Sequence, residues 1–209
     1  MNSDKLILDV AYQPQERTAR NTRSIMLDVI IALVPASVWA VWQFGIQSLI
    51  LIIASVCSSV FFEWGYRKLL HKESSIGDLS AVVTGLMLAM TLPPTAPAWV
   101  AVIGCFFAIV VVKQLYGGIG KNFLNPALAG RAFLMASYAT VMSSYSVPRA
   151  LSGTVDAVSM ATPLTYMYSG EAVPRYFTLK AIFLGMTPGT LGEVSALLLI
   201  IGGVYLMHL

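Results

Sequence analysis

Residues 76–88 read IGDLSAVVTGLML, and residues 191–203 read LGEVSALLLIIGG. In both, a glycine is followed by an acid, an aliphatic residue, serine, alanine and then an apolar run, with Gly77 matching Gly192 and Ser80 matching Ser195. The first run, Leu79–Leu92, stops at Pro93-Pro94. At ~1.5 Å per residue its 14 or so residues reach about 21 Å, short of the ~30 Å hydrocarbon core of a bilayer. A short helix that starts on a polar turn, repeated once, is the mark of an internal repeat whose broken helices meet near the membrane midplane.

Working outward, the chain supplies the rest of such a bundle. Of its 209 residues 57% are hydrophobic and only 11% charged, with a mean hydropathy of +0.75. Soluble domains carry about 25% charged residues. Apolar runs at Ser24–Trp42, Ile46–Glu63, Leu79–Leu92, Ala98–Val112, Ala127–Val141 and Val194–Met207 predict six membrane segments. The expected fold is therefore an all-α integral membrane protein, a multi-spanning helix bundle with an inverted repeat and short or broken helices. Its parts are a cytoplasmic N-terminal segment (1–23), a first membrane repeat of about five spans (24–145), a loop (146–190) and the start of a second repeat (191–209). The first copy is followed by a proline break and two more apolar runs. No such runs follow the second copy, so a truncated second repeat is expected. Residues 1–23 lack the apolar core of a cleavable signal.

Charge gives the orientation. Lys5, Arg17, Arg20 and Arg23 mark a cytoplasmic N-terminus, and Arg67, Lys68, Lys72, Lys113 and Lys121 mark the later cytoplasmic connections. The links at Phe44-Gly45 and Pro93–Pro97 hold no Lys or Arg. Alternation then places the long polar loop outside, and the two repeat copies enter from opposite faces. A net charge of +3 is too small to suggest a nucleic-acid partner. Cys57 and Cys105 each stand alone in an apolar run and read as small apolar residues; no metal site is expected.

Three places carry polar chemistry. In GGIGKNFLNPALAGR (117–131), Asn125-Pro126 reads as a helix start, with Asn as cap and Pro at the first helical position. Exposed amides there, with Lys121 and Arg131 nearby, suit an anionic or polar ring ligand, although a self-satisfied membrane turn would look the same. Asp78 and Glu193 open the two repeat helices; a carboxylate there either caps free N–H groups or takes part in cation or proton passage. Asp28 and Lys113, near span ends, read as boundary anchors. Finally, DAVSMATPLT (156–165) is either a turn, with Asp, Ser and Thr bonded to nearby backbone and Pro163 fixing the bend, or a threonine exposed among small residues for esterification to a phosphate.

The blocks GDLSAVVTGLMLAMTLPPTAPAW, GGIGKNFLNPALAGRAF, DAVSMATPL and GEVSALLLIIGG occur in the same order as in a family of related membrane proteins, the RnfD-type component of the Rnf complex and the NqrB-type component of the sodium-pumping NADH:quinone reductase. The chain resembles these from about residue 20 onward, and its short N-terminal segment resembles the RnfD type more. The resemblance implies an FMN carried on Thr162 by a phosphoester, placed by a flavin transferase that recognises Asp156, Ser159 and Ala161; Met160 stands where relatives often have Gly. It implies electron relay within an ion-translocating (Na⁺ or H⁺) ferredoxin:NAD(+) oxidoreductase, in a bacterial inner membrane among lipid and partner subunits. The chain would not be catalytic alone, since no nicotinamide-binding glycine fingerprint or cluster ligands are present. A second flavin, riboflavin, is expected near Asn122, Asn125 and Arg131. The competing readings are a solute channel or transporter, and a scaffold protein of the complex with no cofactor.

Overall fold

The computed structural model describes residues 21–72, 75–149, 151, 159–170, 172–175 and 177–208. Two long helices, α1 (Thr22–Phe44) and α2 (Ile46–Leu69), form an antiparallel pair. They are joined by one residue. Gly45, at φ 80°, ends α1 by donating its N–H to the Val41 carbonyl at 2.8 Å, and at once begins α2. Both helices are long and apolar enough to cross a membrane. The other apolar helices are shorter: α3 (Ser80–Met90), α4 (Ala98–Phe106, running on as a π-helix through Gln114) and α9 (Ala196–Met207). Between the last two lie α5 (Pro126–Ser137), α6 (Ala139–Met142), α7 (Pro163–Ser169) and α8 (Leu179–Leu184). The fifth apolar run is thus broken at Tyr138, whose backbone leaves the helical region. No strand occurs among the described residues.

The long helices are inside out compared with a soluble bundle. On α2 the buried positions are Ser48, Leu51, Ser55, Ser58, Ser59 and Glu63, while Ile50, Ile53, Phe61 and Trp64 are exposed. On α1 the buried stripe is Ala32, Ala36 and Ala40, with Ile31, Val34, Val38 and Trp42 outside. Small and polar side chains let helices approach closely where lipid covers the outer face. Gly85 of α3 meets α2 so tightly that a Cβ would lie 2.7 Å from the Ser55 carbonyl, and Gly202 of α9 abuts the Ala32 carbonyl of α1.

The two segments that match in sequence begin alike. Each opens with a 3₁₀ turn (Ile76–Asp78; Leu191–Val194) and continues as an apolar α-helix. Between turn and helix of the first copy, Leu79 adopts a left-handed conformation at φ 62°. The second copy docks onto the end of the first: the Leu191 N–H donates to the Leu92 carbonyl at 3.0 Å, and a Cβ on Gly192 would lie 2.8 Å from the Met90 carbonyl.

Contacts divide the bundle into two ends. At one, beside the Gly45 corner, the Gln43 backbone carbonyl accepts from the Arg149 N–H at 3.0 Å and the Gln43 side-chain amide donates to the Gly185 carbonyl at 3.2 Å. There too Thr95, in the proline turn, donates to the Ser144 carbonyl at 2.6 Å. The other end holds the basic terminus of α2, with Arg67 beside Gly118.

Candidate functional site

Thr162 sits just before α7, in extended backbone, and its hydroxyl accepts from the Thr165 N–H at 3.3 Å. A Thr followed by Pro at the first helical position is a strong helix start, because Pro has no N–H to leave orphaned. The Thr165 hydroxyl lies 2.9 Å from that of Thr162. Ser159 pairs across to Ser146, and the Met160 N–H donates to the Tyr145 carbonyl at 3.0 Å, which ties the segment to the chain after α6. Together Ser143, Tyr145, Ser159, Ala161, Thr162 and Thr165 line an open cavity of about 280 Å³. Its wall is rich in hydroxyls, which suits an oxygen-rich group such as a phosphate. Asp156 lies outside the described residues.

At the opposite end the GGIG turn takes positive φ at Gly117 (107°), Gly118 (94°) and Gly120 (80°), as its glycines allow. Asn125 then caps α5: its side-chain oxygen accepts from the Ala127 N–H at 3.0 Å and the Leu128 N–H at 3.5 Å. Asn122, oriented to satisfy both amide atoms, donates to the Lys113 and Gly118 carbonyls at 3.1 and 3.2 Å. Asn122 and Asn125 line a cavity of about 220 Å³ whose other walls include Met26, Val83 and Met87. That is below the ~300–1,000 Å³ of a whole ligand pocket. Lys121 is exposed beside the turn. Arg131 is not in this cavity. It lines a different one, of about 240 Å³, with Met90, Thr91 and Glu193 at the junction of the two repeat copies.

The structure corrects the reading of Lys113 as a boundary anchor. It is only 2% exposed, and its ammonium donates to Glu63 Oε2 at 2.6 Å and to Ser80 Oγ at 2.5 Å. Glu63 is wholly buried, also accepts from the Ser75 hydroxyl, and has Arg67 Nε at 4.0 Å from its other oxygen. The span expected to stop at Glu63 runs on to Leu69, which carries the carboxylate into the bundle interior. Lys113 reaches it from a π-helical stretch, Phe107–Gln114, a geometry frequent at functional sites. Asp28 and Glu63 both lie on the long apolar helices, so the sequence showed that Lys113 would need a carboxylate partner but not which one. The Asp28 carboxylate accepts from the Tyr205 hydroxyl at 3.5 Å.

Both repeat carboxylates take a capping role. Asp78 Oδ1 accepts from the Ser80 N–H at 2.8 Å, and Glu193 forms a capping box with Thr190, accepting its N–H at 3.1 Å. Among the described residues no cluster of His, Cys, Asp or Glu could hold a metal ion. Cys105 is buried and donates to the Ser55 carbonyl at 3.2 Å, whereas Cys57 faces outward.

A family model described as the NQR2, RnfD, RnfE family matches residues 9–209. The D component of the Na(+)-translocating ferredoxin:NAD(+) oxidoreductase complex of Acetobacterium woodii is 46% identical over 208 residues, covering 98% of this chain and 64% of its own length. The D component of the proton-translocating ferredoxin:NAD(+) oxidoreductase complex of Clostridium ljungdahlii is 39% identical over 98% of this chain and 63% of its own. The D component of the ion-translocating oxidoreductase complex of Rhodobacter capsulatus is 36% identical, over 93% and 62%. The chain therefore spans a little under two thirds of the length of these relatives. The family match takes in both repeat copies, the glycine turn and Thr162, and the chain belongs to the NQR2, RnfD, RnfE family of membrane proteins.

Proposed function

We propose that this chain is a membrane electron-transfer component of an ion-translocating (Na⁺ or H⁺) ferredoxin:NAD(+) oxidoreductase complex, with FMN joined to Thr162 by a phosphoester. Relatives at 36–46% identity that bear such names support the complex. The observation that carries the cofactor is the Thr162 hydroxyl, held by Thr165 at the lip of a hydroxyl-lined cavity between small neighbours. Ser143, Ser159 and Thr165 would surround the phosphate, and the flavin would supply one- and two-electron redox chemistry. The ester leaves Oγ1 able to accept from the Thr165 N–H, so attachment and capping are compatible. Asp156, Ser159 and Ala161 serve as the attachment motif for a flavin transferase.

A second flavin, riboflavin, is assigned to the Asn122–Asn125 cavity, without Arg131. Asp78 and Glu193 are the carboxylates offered for ion passage. The partners are the other membrane and peripheral subunits of the complex, in the lipid of a bacterial inner membrane. The N-terminus would be cytoplasmic, with six crossings, the repeats inverted and Thr162 on the far face. This agrees with Arg67, Lys68 and Lys72 lying at the end of the bundle opposite Thr162.

The test is in-gel flavin fluorescence of the denatured chain after co-expression with a flavin transferase. Wild type is expected to fluoresce, Thr162→Ala to be dark, and Thr162→Ser, which keeps an esterifiable hydroxyl, to retain a band. A dark wild type, with the transferase active on another substrate, would sink the covalent FMN and favour a scaffold or channel.

A further inference from the structure

Residues 172–190 carry two bases, Arg175 and Lys180, and no acid. Within this stretch lies α8, six residues long and capped by Thr178, whose hydroxyl accepts from the Ala181 N–H at 3.2 Å. At ~100° per residue, Leu179, Ile182 and Phe183 share an arc of about 100°. That arc faces outward: the three side chains are 87%, 41% and 44% exposed. Ala181 and Leu184, on the other side, are partly buried, and α8 packs beside α9. Lys180 is exposed at the edge of the apolar arc, and Arg175 is exposed ahead of the helix. Three large apolar side chains on the open face of so short a helix are unfavourable in water. The boundary between lipid headgroups and acyl chains accepts them, with the bases directed to the headgroups.

A second contact fixes the height of α8. Gly185, which ends it in a left-handed conformation at φ 80°, accepts through its carbonyl from the buried Gln43 side-chain amide at 3.2 Å. Gln43 lies two residues before the Gly45 corner, in the last turn of α1. The 23 residues of α1 span roughly 34 Å at ~1.5 Å each, against a hydrocarbon core of ~30 Å. That last turn therefore reaches a membrane boundary, and Trp42, beside Gln43, is half exposed there as headgroup-level aromatics are. We propose that α8 is an interfacial anchor, with Leu179, Ile182 and Phe183 among the upper acyl chains and Lys180 and Arg175 on the phosphates of anionic phospholipids. The anchor reaches Thr162 through one ring contact. Phe177, buried just before α8, lies 6.1 Å from the Tyr166 ring of α7, the helix that Thr162 caps. α8 thus holds the Thr162 segment close to the membrane surface. This follows from α8 and α1 alone, whether or not Thr162 carries a flavin.

The experiment uses the whole chain with Cys57→Ser, made without flavin transferase, in nanodiscs of phosphatidylcholine and phosphatidylglycerol. A nitrobenzoxadiazole fluorophore is attached at Leu179→Cys or at Ile182→Cys, both outward positions. Quenching is measured with a doxyl group near the lipid headgroup, with one near the acyl chain end, and with aqueous iodide. Emission is expected to be blue-shifted, insensitive to iodide and quenched about twofold more by the shallow doxyl group than by the deep one. Quenching by iodide would place the face in water, and blue-shifted emission that no quencher reaches would place it under protein; either result overturns the anchor. The shallow doxyl group is also expected to quench more strongly on phosphatidylglycerol than on phosphatidylcholine, and Arg175→Gln/Lys180→Gln to abolish that preference. Equal quenching by the two lipids before the charges are removed, or a preference that survives their removal, overturns the role of the two bases.

Discussion

At the scale of single residues, the dominant feature is a carboxylate and an ammonium sealed inside an apolar bundle. Glu63 and Lys113 are 2.6 Å apart and excluded from solvent, so each is tolerable only because the other is there. Removing one partner alone strands a buried charge, a loss of about 3–5 kcal/mol. Lys113→Met is therefore expected to lower the unfolding midpoint of the chain in detergent sharply, whereas Lys113→Met/Glu63→Gln recovers most of the loss. Equal destabilisation of the single and double variants would show that the lysine acts through its packing and not its charge. Thr162 is the contrasting case. It is half-buried at an accessible lip, and its replacement costs a helix cap of about 1 kcal/mol while removing the hydroxyl to which the proposed flavin would be joined.

At the scale of elements, close helix approach is set by glycines whose neighbours differ. Gly202 and Gly203 are adjacent in α9, yet a Cβ on Gly202 would collide with the Ala32 carbonyl while one on Gly203 would meet nothing within 4 Å. Gly202→Ala is expected to destabilise by about 1–3 kcal/mol through overpacking. Gly203→Ala should be neutral or stabilising by up to ~1 kcal/mol, since alanine is the better helix former. Thermal unfolding of the two variants side by side reads this difference, and equal effects would mean that α9 does not pack on α1 as described. The same principle explains α3. It is short and nearly all buried, and Gly85 lets it lie against the serine face of α2.

At the scale of the whole molecule, the two long helices turn large apolar side chains outward and mostly small or polar ones inward, as lipid on their outer face demands. The two candidate sites stand at opposite ends: Thr162 with the Gly45 corner and the proline turn, Asn122 with Lys113 and the basic end of α2. Single cysteines tested for labelling by a membrane-impermeant maleimide should separate them. With Cys57 replaced, Ser169→Cys is expected to react in intact cells and Lys72→Cys only after permeabilisation. Labelling of both from one side would overturn the proposed topology.

Two helix starts were legible because they depend on neighbours a few residues away: Asn125 caps α5, and Asp78 accepts from the first N–H of α3. Glu193 instead caps its own 3₁₀ turn through Thr190, Ser195 caps α9, and Thr162-Pro163, read as a bend, opens α7. The all-helical character followed from composition, and the family resemblance from ordered motifs. What sequence could not supply was any contact between distant segments. Glu63 and Lys113 are 50 residues apart, and their pairing depends on α2 continuing past Glu63 and on a π-helical turn that rotates Lys113 inward. Likewise Asn125 and Arg131 are near neighbours in sequence, yet the rise and rotation along α5 send them to different cavities. Local chemistry determined where each helix begins; only packing in three dimensions decided which of its charged side chains would be buried, and against what, because desolvation is a property of the assembled neighbourhood and not of the residue.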